Sequence, residues 1–272
     1  MSEEILRALM QLFAIIAKQD VGLSKGERAF VENFLRQQLN ETAVKEYLTL
    51  FDSYIDPEAS NNEPNENNGH KLTSVKDSVK ILGIARKINK TLTQKQKAVV
   101  LVKLLEMVNS ENKLTSQRMA IIDTTADVFN ITKQEYNAIQ AFVLNTLLPE
   151  LDLPEILITN AKDPENSESQ FIAANQLEGS LIFLRIQTVD MFFMKYNGSS
   201  ELFLNGLPLK SNRIYIFASG SVIRPPKGKP LFYTDIAAKF ISENSLINIR
   251  FKAENIYFTF ANGNAGLQDI NI

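Results

Sequence analysis

Residues 17–27 read Ala17-Lys18-Gln19-Asp20-Val21-Gly22-Leu23-Ser24-Lys25-Gly26-Glu27, and this interruption between two apolar-periodic segments decides how the first half of the chain is built. Upstream, Ile5, Leu9, Leu12, Phe13 and Ile16 recur at spacings of three and four, the period that lines one face of a helix. Downstream, Ser24 is placed to cap a second helix over 25–39, and Glu27, three residues on, completes a capping box. A third helix over 41–54 carries Val44, Tyr47, Leu48 and Phe51 on one face and ends before Pro57. The polar stretch 57–69, PEASNNEPNENNG, buries too little apolar surface to offset the entropy of ordering it and reads as a loop.

Helical spacing resumes over 73–90, 93–109, 115–129 and 132–147, with Thr93, Thr115 and Thr132 as caps and Pro149 as the stop. About ninety residues after the first interruption, Glu111-Asn112-Lys113-Leu114-Thr115-Ser116-Gln117-Arg118 falls in the same place between two helices. The first half is therefore a helical bundle over 1–150 with an internal echo. Residues 151–175 read as a connector with one short strand at Ile156–Ile158.

Beyond the connector the composition changes. Fifteen of the 24 Phe and Tyr residues lie in the last 102 positions, which favours strands there. Apolar runs at Ser180–Ile186, Met191–Tyr196, Ser200–Leu204, Arg213–Ala218 and Leu231–Phe232 are separated by Gly, Asn and Pro. Asn197-Gly198 and Asn205-Gly206 fit hairpin turns because both residue types tolerate positive φ. The fold class is α+β in two domains: an all-α bundle, then an all-β sandwich over 176–250.

Composition narrows the chemistry. With no cysteine in 272 residues there are no disulfides, thiolate nucleophiles, iron–sulfur clusters or sulfur-ligated zinc sites, and His70 is the sole imidazole. A formal net charge of -2 gives no general attraction for nucleic acid. Charges interrupt every apolar run before the roughly 18 residues a membrane-spanning helix needs. The opening MSEEILRALMQLFAIIAKQD has acid where a signal peptide carries base, so a cytoplasmic chain without direct membrane insertion is expected.

The turn at 17–27 resembles the TerB-like family, whose helix pairs flank an acidic A-K-x-D-G-x-(I/L)-S-x-x-E segment. Asp20 and Glu27 fall on its two acidic positions and Leu23 on its apolar one; Val21 replaces its glycine, and Arg118 stands at the acidic position of the second copy. The resemblance implies a tellurite-resistance or stress-response setting. It also implies a divalent metal held by Asp20 and Glu27, with Glu111 in support. Read from the residues alone, the same two carboxylates cap a helix and offset its macrodipole.

The β half resembles a forkhead-associated (FHA) domain through Leu202-Phe203-Leu204-Asn205-Gly206 and Ala218-Ser219-Gly220-Ser221-Val222-Ile223. That family's G-R turn and S-x-x-H phosphothreonine reader are absent. The one local basic cluster, Arg224, Lys227 and Lys229 in RPPKGKP, lacks phosphate-loop spacing; it is a solvated turn and a candidate contact for a protein partner.

The last stretch, Asn255-Ile256-Tyr257-Phe258-Thr259-Phe260 followed by Ala265-Gly266-Leu267-Gln268-Asp269-Ile270-Asn271-Ile272, resembles the opening hairpin of an ATP-binding cassette (ABC) ATPase. The resemblance implies that 251–272 begins such a domain, with Tyr257 or Phe260 stacking on adenine. It further implies ABC ATPase and membrane domains downstream as partners, and a place at the inner face of the membrane. No Walker A, Walker B or signature motif is present, so no ATPase activity and no ATP or Mg²⁺ binding is expected of this chain itself. The expectation is a regulatory or docking front end of an ABC transporter ATP-binding protein. The alternative is a stand-alone TerB-like protein that binds a divalent metal.

Overall fold

The helices begin where a side chain satisfies amides that have no partner of their own. In the computed structural model, Ser24 accepts from the Glu27 amide at 3.0 Å while the Glu27 carboxylate accepts from the Ser24 amide at 3.0 Å, a complete capping box. Thr93 and Gln96 make the same reciprocal pair, and Asn40, Thr115 and Thr132 cap three further helices. The structure describes residues 2–18, 23–56, 75–110, 114–161, 167–174, 177–226, 228–242, 252 and 254–271, with 75–80 and 242 as backbone only. The polar stretch 57–69 and His70 lie outside them.

Among the described residues the first part holds α1 (Glu3–Ala17), α2 (Lys25–Arg36), α3 (Glu41–Ile55), α4 (Val75–Thr91), α5 (Gln94–Ser110), α6 (Ser116–Val128) and α7 (Lys133–Leu144). α1 and α5 are buried on nearly every side, which places them at the centre of the bundle with the more amphipathic helices around them. The echo in the sequence is an echo in space: α1 and α5 begin 91 residues apart, and so do α2 and α6.

A five-stranded sheet follows, in the order β2-β1-β3-β4-β7, from β1 (Ile156–Asn160), β2 (Gln170–Ala173), β3 (Gly179–Ile186), β4 (Met191–Gly198) and β7 (Ile214–Phe217). A four-stranded sheet takes the order β6-β5-β8-β9, from β5 (Phe203–Leu204), β6 (Leu207–Pro208), β8 (Val222–Arg224) and β9 (Leu231–Phe232). The register Ile156↔Leu184 and Ile158↔Ile182 puts one set of apolar side chains on the face that shares the helical core. Leu157, Phe183 and their neighbours occupy the opposite face, also buried. This is why β3 reads as a continuous apolar run rather than an alternating one.

Polar contacts join the bundle to the same sheet. Glu135, near the start of α7, accepts from the Thr188 amide at 2.9 Å and the Thr188 hydroxyl at 3.1 Å. Lys195 of β4 is buried and donates to the carbonyl of Phe142 at 2.5 Å and to that of Asn145, at the C-terminal end of α7. That end carries the negative pole of the helix, so an ammonium is the favourable occupant. Burial lowers the Lys195 pKa to about 8, and the Glu106 carboxylate partly offsets the drop.

The architecture corrects several expectations. Residues 151–175 do not merely connect: β1 is an interior strand, and β2 pairs with it in parallel. A contiguous core carries bundle and sheet together within one compact unit, 1–236, and residues 237–272 form a second. Asn197-Gly198 is no hairpin turn but the end of β4, paired with Ser180 and Gly179. Glycine is required at 198 because a Cβ would lie 2.2 Å from the Glu178 carbonyl oxygen and 2.5 Å from the Tyr196 hydroxyl. Asn205-Gly206 does make the expected tight turn, with φ of 53° and 85°. An unpredicted helix, α8 (Tyr233–Ser242), starts where the Asp235 carboxylate accepts from the Phe232 amide at 2.9 Å.

Candidate functional site

The two interrupted turns meet in the bundle. Ser24 precedes α2 and Thr115 precedes α6, so Glu27 and Arg118 hold the same third-residue position of two related helices. Both side chains have 0% exposure, and Arg118 Nη2 donates to Glu27 Oε1 in a buried ion pair. Glu27 Oε2 accepts from the Ser24 amide, so both carboxylate oxygens are committed. Glu27 also suits the positive N-terminal pole of α2. Arg118 has the wrong sign for the start of α6, and its position follows from Glu27, not from its own helix. Asp20 and Glu111 lie outside the described residues.

The other sequence candidates are not gathered into this site. Arg224 is exposed at the end of β8, Lys229 is exposed beside Pro230, and Lys227 lies outside the described residues. Tyr257 and Phe260 belong to the second unit, on a hairpin of β10 (Ile256–Thr259) and β11 (Ala265–Ile270). There the Phe258 and Phe260 rings meet edge to face at 5.0 Å over Gly266, whereas Tyr257, 66% exposed, lies on the alternate face.

Sequence reasoning missed a cleft of about 270 Å³ in the first unit, lined by Phe34 of α2, Lys103 and Glu106 of α5, Lys195 of β4, and Arg213 and Ile214 at β7. Lys103 and Glu106 pair at 2.5 Å. Lys103 donates to the Ile214 carbonyl and Glu106 accepts from the Ile214 amide, both at 3.4 Å, so the pair ties α5 to β7. The i, i+3 spacing was visible; the strand it would meet was not.

The family model of tellurite resistance protein TerB matches residues 6–141, which takes in both turns. The chain belongs to the TerB family. No curated protein and no solved structure matches it.

The divalent metal implied by the TerB resemblance does not fit the described part of this site. Hard cations need six or more oxygens for calcium, or near-ideal octahedral ligands for magnesium. Glu27 already uses both of its oxygens, Oε2 on the Ser24 amide and Oε1 on the Arg118 guanidinium, whose positive charge opposes a cation beside it. Among the described residues no cluster of three or more His, Asp or Glu side chains stands ready to hold a metal ion.

Proposed function

We propose that this TerB-family chain is a non-catalytic docking and regulatory region that works with an ATP-binding cassette protein. The carrying observation is the hairpin of the second unit, where Tyr257, Phe258, Phe260, Leu267 and Ile270 are all exposed. A two-stranded ribbon is at best marginally stable in water. Such a ribbon gains by joining a larger sheet, and the segment Gly266-Leu267-Gln268-Asp269-Ile270-Asn271-Ile272 has the form of the second strand of a cassette ATPase. On this reading Tyr257 is the better adenine platform, because Phe260 is already packed against Phe258.

The first unit then serves as a rigid body, its bundle and sheet sharing one core. Its β strands act as scaffold and carry no phosphopeptide-reading role, and on this reading ATP and Mg²⁺ are bound by an ATPase domain downstream in the same polypeptide, which works with the membrane domains. Among the described residues no helix is long and apolar enough to cross a membrane. The test is to read the coding sequence past residue 272. A G-x-x-x-x-G-K-[ST] loop within about fifty codons is expected, and its absence overturns the cassette link.

A further inference from the structure

A second cavity lies in the first unit between the two sheets, on the face of the five-stranded sheet turned away from the bundle. Its volume is about 440 Å³, within the range of small-molecule sites. Interiors close-pack, and voids much larger than a water molecule are few. The wall is apolar: Ile172 and Leu181 come from the five-stranded sheet, and Leu202, Ile223 and Leu231 from the four-stranded sheet and its approach. Thr159 of β1 also lines it, 1% exposed, and its hydroxyl has no hydrogen-bond partner among the described residues. A buried polar atom left in this state marks a seam that the chain's own side chains do not fill.

The mouth is formed by the Pro-Gly loop that the sequence singled out and the proposed function leaves unused: Pro225, Gly228, Lys229 and Pro230. Asp235 stands at the same rim; its carboxylate keeps its charge but accepts from the Phe232 amide in the first turn of α8, where the positive pole of the helix offsets it. Lys229 is exposed and takes part in none of the ion pairs formed among the described residues. An apolar chamber with an ammonium at its entrance selects a ligand with a hydrocarbon body and an anionic end.

We propose that this cavity binds a free single-chain carboxylate of medium length, its tail along Ile172, Leu181, Leu202 and Ile223 and its head at Lys229. The lining residues all belong to the first unit, and the proposal does not depend on the cassette reading. Calorimetry of the full chain with submicellar decanoate tests it. One saturable site is expected. Ile172→Trp, which fills the chamber from a half-buried edge-strand position, is expected to abolish binding while leaving the circular dichroism spectrum unchanged.

Lys229→Glu, at an exposed position where folding is not at stake, is expected to weaken decanoate about tenfold, the loss of one charge-assisted contact. The same variant is expected to improve binding of the cationic decyltrimethylammonium. Phe258→Ser on the hairpin is expected to change nothing, which separates this site from general uptake of surfactant by exposed aromatics. Absence of saturable heat, equal decanoate affinity in Lys229→Glu, or loss of binding in Phe258→Ser would overturn the assignment. Co-sedimentation of the chain with phosphatidylglycerol vesicles, abolished by Ile172→Trp, would replace the free ligand by a membrane lipid and overturn it as well.

Discussion

Two turns of the same design close in opposite ways. At the first, Ser24 and Glu27 form a reciprocal box and the carboxylate suits the helix it begins. At the second, Thr115 receives the Arg118 amide at a longer 3.4 Å, and the side chain at the third position is a cation that its own helix disfavours. The difference teaches that the second copy was shaped by its partner across the bundle, not by its helix. One acid and one base at equivalent positions form a buried pair.

The largest effect is expected from making the two turns alike. Arg118→Glu places two carboxylates in a site with no exposure and is expected to cost about 5 kcal/mol, the upper end for breaking a buried pair. Urea unfolding followed by circular dichroism measures it, and a cost near zero would mean that the turns do not depend on opposite charge. Arg118→Met, which keeps the bulk and leaves Glu27 alone, is expected to lose about 3 kcal/mol. Adding Glu27→Gln to that variant should recover much of the loss, a coupling that unrelated positions would not show. In the same assay, replacing EDTA by millimolar Ca²⁺ is expected to leave the wild-type midpoint where it was.

What the sequence made legible follows from which interactions are local. The box at Ser24 and the caps at Thr93, Thr115 and Thr132 lie within four residues of the groups they bond, so spacing alone located them. Arg118 was visible as a departure at the echoed position, but its partner 91 residues away was not. β2 went unread because its burial comes from β1 and not from its own pattern, its four residues being at most half-buried. Gly198 was misread for a related reason: its glycine answers to the Glu178 carbonyl across the strand pair, not to a turn. Lys195 looks like one more charge near a strand end until the last carbonyls of α7 are placed over it.

Lys195 sharpens the comparison as a second buried cation, one that faces carbonyls instead of a carboxylate. Its pKa falls from 10.5 to about 8, so the folded chain releases that proton before the unfolded chain does. Below about pH 8 both states are protonated and the burial penalty is present in full. Between about pH 8 and 10.5 the unfolded state binds more protons, and the contribution of Lys195 to stability rises with pH. The difference in urea midpoint between wild type and Lys195→Met, followed from pH 7 to 10, is expected to show this slope.

The smallest expected effect compares the two caps directly. Ser24→Ala removes the acceptor for the Glu27 amide at 3.0 Å and also loosens the carboxylate that holds Arg118, so it should cost about 1 kcal/mol or somewhat more. Thr115→Ala removes a longer bond from a turn whose third residue returns nothing to the cap, and a loss of about 0.5 kcal/mol is expected. If the cost at Ser24 comes partly through the ion pair, Ser24→Ala in the Glu27→Gln, Arg118→Met background should cost no more than Thr115→Ala. An undiminished cost there would show that the first turn is held by its cap alone, and that the pairing across the bundle adds nothing to the order of the turn.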